Sequence, residues 1–376
     1  MKLFYVFIIL ILFHNCSFDN KTGIWNNENL SSKSENDIFK EFKTLSSSTD
    51  SFNKIINIKN DYQFRLSDPT INYNWKDIYH NRTNNLINFS YSNLNKLIFK
   101  SKKISKYEIN NLLFEEKNLI VSDTKGNLIT YSTNNNNIIS KFNFYKKKHK
   151  KINKILNLIV EDNIIYVSDN LGYLYAFNPI KNKILWAKNY KIPFRSNLKI
   201  IEDKLIGANQ NNDLFFFNKR NGDIQRLIPT EETIVKNKFV NNLSVNDELL
   251  LFLNTYGSLY AVDKKTMKIK WFLNLNQSSD LDLNNLFLGS EIIVDDNKVV
   301  ITSNQSTYVL NSSNGSIIHK KNFSSETRPI ILNDYLFSIT DKDLLVAMEL
   351  SSGNLIYSYD INQKIAEYLN TKKKKV

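Results

Sequence analysis

Few residues of this chain could do chemistry, and they are scattered. There is one cysteine, Cys16, and there are four histidines, His14, His80, His149 and His319, none of them beside a cysteine and no two at ligand spacing. A lone thiol closes no disulfide within the chain and builds no cysteine-based metal site. The acids fall mostly on apparent turns (Asp123, Asp213, Asp263), where a carboxylate caps backbone N–H groups. Neither a Gly-x-Ser-x-Gly elbow nor a phosphate loop occurs. Catalytic residues and metal ligands are therefore expected to be none, and bound cofactors none. What remains is covalent chemistry at Cys16 and recognition by surface side chains.

Cys16 follows Met1-Lys2 and an apolar run from Leu3 to Phe13. A basic start and a short apolar stretch make a signal peptide, since a membrane span needs about 20 residues. With cysteine just after the run, residues 1–15 resemble a bacterial lipoprotein signal. That resemblance implies acylation of Cys16 and removal of the peptide before it. Asn15 and His14 are bulkier than the small residues usual in such signals, and an ordinary signal peptide is the alternative. Ser17 in the next position implies sorting to the outer membrane. Residues 16–54 are polar and read as a tether, with Ser34-Glu35-Asn36-Asp37 as a capping box before a short helix.

The elements that would position any binding residue come from a repeat. Units anchored at residues 126, 172, 213, 257, 306 and 343 recur about every 43 residues. Two are Gly172-Tyr173-Leu174-Tyr175-Ala176-Phe177-Asn178 with Lys183-Ile184-Leu185-Trp186, and Gly257-Ser258-Leu259-Tyr260-Ala261-Val262-Asp263 with Lys268-Ile269-Lys270-Trp271. An apolar run precedes each anchor and a weaker one precedes that, for example from Phe194 to Ile201. Four short strands per unit, bounded by Asn, Asp and Gly, make a propeller blade. The expected fold is all-β, a β-propeller filling residues 55–376, with about six clear blades between 104 and 360. Ala176 and Ala261 allow close approach of neighbouring sheets, and Trp186 and Trp271 fill the wedge between them. The chain has 9 Gly and 5 Pro, so Asn must make many turns.

The unit resembles the quinoprotein-type (PQQ-like) repeat. Two groups carry it: quinone-dependent dehydrogenases and BamB-like lipoproteins of outer-membrane protein assembly. Cys16 and the approach Asn72-Tyr73-Asn74-Trp75 favour the second. A quinone enzyme needs calcium ligands, a central carboxylate and vicinal cysteines. The BamB resemblance implies a non-catalytic scaffold, lipid-anchored at the periplasmic face of the outer membrane. It would bind the periplasmic repeats of the barrel assembly protein, other assembly lipoproteins and nascent β-barrel proteins. Family contacts are made by loops joining consecutive blades. Ile192, Phe194 and Arg195, after Trp186, match one such loop, with Phe194 as apolar anchor and Arg195 as carboxylate or carbonyl clamp. Burial of Phe194 at the start of the next blade is the alternative. Glu231 and Glu232 match an acidic stretch of the following loop by charge and place. An exported propeller binding another ligand or polymer is the alternative function, and a quinone dehydrogenase the remote one.

The formal charge of +13 has two local sources, residues 146–151 and Lys372-Lys373-Lys374-Lys375. An exported chain meets no nucleic acid, and these lysines read as solvated loops, or secondarily as partners of anionic lipid or acidic protein. In length, eight blades need about 350 residues, more than follow residue 55. An eight-blade ring incomplete at its C-terminus is expected. The alternative is a smaller ring closed by an N-terminal strand such as residues 61–66. Contact between residues 55–66 and the blade at 335–360 distinguishes them.

Overall fold

The computed structural model describes residues 51–373, apart from 72–73, 92–96, 98, 233–239, 277–286, 288, 304–305 and 326, together with residues 17–18 and 25–26. Two compact units divide the chain, Met1–Ser48 and Thr49–Val376. In the first, Ser17–Phe18 pairs antiparallel with Trp25–Asn26. The signal, Cys16 and the capping box lie outside the described residues.

In the second unit the described residues form six four-stranded antiparallel sheets, each built from consecutive strands. Sheet 1 joins Ile109–Glu115, Asn118–Asp123, Asn127–Ser132 and Asn137–Asn143. Sheet 2 joins Leu156–Glu161, Ile164–Asp169, Tyr173–Asn178 and Lys183–Asn189; sheet 3 joins Lys199–Ile201, Lys204–Ala208, Leu214–Asn218 and Ile224–Ile228. Sheet 4 comprises Asn242–Val245, Leu249–Leu253, Ser258–Asp263 and Ile269–Asn274, and sheet 5 Ile293–Asp295, Lys298–Thr302, Thr307–Asn311 and Ile317–Lys321. Sheet 6 comprises Ile330–Leu332, Tyr335–Ile339, Leu344–Glu349 and Leu355–Asp360, and runs into helix α1, Ile361–Lys373. First strands are innermost and last strands line the rim, as in a propeller.

Each sheet repeats the same local solutions. The third and fourth strands slip register by one residue in all six, a bulge that bends the outer strand. The turn between second and third strands is held by a side chain closing the second strand. Asp123, Asp169, Asn209 and Asn254 each accept backbone N–H groups two and four residues on, and Thr340 does so through Oγ1. Asn supplies left-handed turn positions at 136, 163, 182, 212 and 333, as the shortage of glycine required.

Five apolar clusters lie between consecutive sheets, from 1–2 to 5–6. Because middle sheets pack on both faces, Tyr175 and Tyr260 are buried like Leu174 and Leu259. Trp186 and Trp271 lock sheet to sheet. Their Nε1–H groups donate to Lys219 O at 3.0 Å and Ser312 O at 2.9 Å in the next sheet. Their rings lie over Gly222 and Gly315, where a Cβ would come within 2.6 Å. His319 takes the equivalent place over Gly353, its Nε2 3.0 Å from Leu350 O.

Sheet 6 meets the leading segment of the chain. Ile56 exchanges two backbone hydrogen bonds with Ser358, at 3.1 and 2.9 Å. Phe64 packs on Tyr335, Phe337 and Tyr357, the face turned away from sheet 5. Phe52, ahead of the expected start at 55, is buried and stacks on Phe323. The contact expected of the smaller ring is thus present, though residues 61–66 are irregular and the pairing is at Ile56. Among the described residues there is no seventh or eighth sheet. Residues 97, 99 and 100 lie in no strand.

The same leading chain then fills the axis. Residues 75–85 touch the first strand of every sheet, or the residue preceding it, in order. Trp75 exchanges backbone hydrogen bonds with Phe114 of sheet 1, and Val160 of sheet 2 donates to Lys76 O. The Lys199 ammonium of sheet 3 donates to Asp77 Oδ2 at 2.6 Å, Asn84 Oδ1 at 2.6 Å and Asn81 O at 2.9 Å. Val245 of sheet 4 donates to Arg82 O, and Val294 of sheet 5 to Thr83 O. Asn84 also donates to Leu243 O and Ile292 O, and Asn85 exchanges two bonds with Ile331 of sheet 6.

Lys199 and Asp77 are both buried, so removing one partner strands the other's charge. Lys199→Met is expected to lower the unfolding free energy by about 3–5 kcal/mol. Lys199→Met with Asp77→Leu should recover most of that loss. Urea denaturation of the two variants measures both.

Candidate partner-binding face

Strand order puts two ends on the ring. Turns between second and third strands share one end with the connectors from each sheet to the next; turns joining first to second and third to fourth strands lie at the other. The connector from sheet 2 to sheet 3 carries Ile192, Phe194 and Arg195, and the next carries Glu231 and Glu232. Both connectors lean on one turn, residues 209–213. Phe194 forms a backbone bridge with Asn209, and Gln210 N–H donates to Pro193 O at 2.9 Å. From the other side, Asn212 Nδ2 donates to Glu231 O at 2.7 Å, and Asn211 Nδ2 lies 3.5 Å from Glu232 Oε1. The structure therefore gathers the expected residues around a common turn.

Their roles divide. Phe194 is 3% exposed and packs among Tyr190, Phe215 and Phe217. It is a core residue of the sheet 2–sheet 3 interface, not an exposed anchor. An apolar residue two positions before Ser196, whose hydroxyl accepts from Ala208 N–H, has nowhere to point but inward. Ile192 is half-buried, its carbonyl tight against Gly172, where a Cβ would meet it at 2.9 Å. With φ at +85°, Gly172 is the residue that lets this turn and the connector touch. Arg195 is half-buried, with its backbone bonded to Ala208 and Asn241, and burial lowers the pKa of its guanidinium.

Glu231 is a brace. Its carboxylate accepts from Tyr260 Oη at 2.6 Å, Asn254 Nδ2 at 3.0 Å and Ser258 Oγ at 3.2 Å, fastening the connector to sheet 4. Burial pushes its pKa up, but the hydrogen bonds from Tyr260, its own backbone, Asn254 and Ser258 together outweigh burial and leave it low. Glu232 beside it is exposed.

At the opposite end a cavity of about 660 Å³ opens beside the axial segment, lined by Lys76, Arg82, Glu161, Lys199, Glu202 and Lys264. These charges are largely matched within the protein: Lys76 to Glu115, Arg82 to Asp247, Glu161 to Lys219, Lys199 to Asp77. Sequence reading missed this axial cluster. The signal was a lysine in an otherwise apolar first strand. Among the described residues no His, Cys, Asp and Glu side chains gather as a metal-ligand set, and no helix is long and apolar enough to cross a membrane.

A depressed carboxylate pKa stabilises the fold above the unfolded value, near 4.5 for Glu231, and that contribution disappears as pH falls through the folded value. Tyr260→Phe removes one of the bonds responsible. It should therefore flatten the loss of stability between about pH 6 and about pH 3 relative to the unmodified chain, as urea titrations at both pH values will read.

A family model described as outer membrane protein assembly factor BamB matches residues 124–359. The crystal structure of BamB from Moraxella catarrhalis superposes with a TM-score of 0.55 at 14% identity, covering 67% of this chain and 75% of that one. A computationally designed protein, Ika8, aligns at a TM-score of 0.48 and 11% identity over 69% of this chain and 89% of that one. No curated protein sequence matches. The family match runs from the second turn of sheet 1 to the last strand of sheet 6, and the chain belongs to the BamB family.

Proposed function

We propose that this chain is a non-catalytic scaffold of outer-membrane β-barrel assembly, anchored by acylated Cys16 at the periplasmic face of the outer membrane. The family match across the sheets carries the reading. Its partners are the periplasmic repeats of the barrel assembly protein and other assembly lipoproteins, with nascent barrel proteins as clients. The contact lies at the connector end, around residues 209–213. Arg195 binds carboxylates or carbonyls, Glu232 offers a charge of opposite sign, and Ile192 adds apolar area on the same connector as Arg195. Glu231 positions that surface from behind. The ring contributes rigidity: sheets locked through Trp186 and Trp271 and filled along the axis hold the connectors in fixed relation, which lowers the ordering cost of binding.

Two measurements test this. The barrel assembly protein should co-purify with the chain from gently solubilised outer membrane, and Arg195→Glu with Glu232→Lys should reduce its recovery about tenfold or more. If the unmodified chain, present in that membrane, purifies alone, the scaffold reading fails. Labelling with palmitate should be lost in Cys16→Ala, with release of the protein from the membrane fraction; retained label would refute the anchor.

A further inference from the structure

Helix α1 is unaccounted for by the ring. Asp360 caps it, accepting from Gln363 N–H at 3.0 Å, and its first turn is pinned by Ile361 N–H to Asp343 O and Asn362 Nδ2 to Asp343 Oδ2. Beyond that turn it projects from the connector end. Ile361, Ile365, Tyr368 and Leu369 follow one another at the spacing of a single helical stripe. The last three are 51%, 59% and 52% exposed. Gln363, Glu367 and Asn370 occupy the other face, and Lys364 flanks the stripe. The sequence continues through Lys372-Lys373-Lys374-Lys375, so residues 361–376 hold five lysines against one acid, Glu367. The segment leading in from residue 51 pairs with the strand that runs into the helix: Ser358 bonds Ile56, and its Oγ donates to Lys54 O. Lys54, Ile56 and the helix therefore adjoin the same strand, Leu355–Asp360.

We propose that α1 is an interfacial helix that lies in an anionic lipid surface, with Ile361, Ile365, Tyr368 and Leu369 in the headgroup–acyl boundary and the lysines on the phosphates. An apolar stripe with flanking lysines whose stems reach past it is the pattern such helices use. The charge decides the occupant: a second copy would set five lysines against five, whereas an anionic bilayer attracts each of them. The proposal is independent of acylation. Where Cys16 also carries lipid, the helix adds a second attachment to the same surface.

The test uses the full chain with Cys16→Ser and Tyr368→Cys, which leaves one thiol for a nitroxide label on the helix. On vesicles of equal parts phosphatidylglycerol and phosphatidylcholine, the label should gain accessibility to oxygen and lose it to a water-soluble nickel chelate. On phosphatidylcholine alone it should stay water-exposed, which also controls for any insertion by residues 1–15. Ile365→Asp with Leu369→Asp, and separately Lys372 to Lys375 each changed to Gln, should weaken partitioning about tenfold or more. The Gln variant keeps the helix intact. A label that stays aqueous on the anionic vesicles, or is immersed equally on neutral ones, overturns the proposal. Spin–spin broadening without vesicles also overturns it, by showing a second copy on the stripe.

Discussion

A buried ammonium organises this ring. Lys199 is fully inaccessible, and an unpaired charge there would cost several kcal/mol. The leading segment answers with a carboxylate, an amide oxygen and a carbonyl, the three acceptors an ammonium can use. Once Asp77 to Asn84 are held there, the backbone groups of that segment must also find partners, and the first strands of the other sheets supply them. The axis is thus a column hydrogen-bonded to all six sheets and set inside an apolar ring. Six first strands are reached because eleven residues, 75–85, pass each of them in turn.

Around that column the sheets hold each other by packing. The lock of Trp186 over Gly222 is repeated by Trp271 over Gly315 and, with a different ring, by His319 over Gly353. Each combines an aromatic face on a glycine with a hydrogen bond to a carbonyl of the next sheet, so area and direction are both specified. Where a further sheet would continue the series, Phe64 covers the outer face of sheet 6. Inter-sheet locks and axis together hold the connectors in fixed relation to one another.

Much of this was legible because a repeat reports itself. Gly172 to Trp186 and Gly257 to Trp271 gave the blade, its strands and its wedge residue from spacing alone. The axial segment was not legible: residues 75–85 have no period, and their partners are remote. Yet one trace was there. Registers place Lys199 where other sheets carry Leu113, Ile159, Ser244, Ile293 and Ile330, and a charge at that position requires a partner. Phe194 shows the opposite difficulty. An aromatic between Pro193 and Arg195 has the same sequence whether it anchors a partner or begins a core, and only the position of Phe215 and Phe217 decides. Glu231 reads in the sequence as an acid on the connector after the third sheet, but Tyr260, Asn254 and Ser258, which turn it into a brace, belong to another blade.

The axial segment also sets an order of events. Asn85 is separated by 246 residues from Ile331, its partner in sheet 6. Such separations raise the entropic cost of closing the structure and slow folding. Neighbouring sheets can pair as soon as both exist, whereas Asp77 and Asn84 must wait, solvated, for strands synthesised long after them. The column at the centre is therefore made before every sheet it touches and is among the last parts to be satisfied.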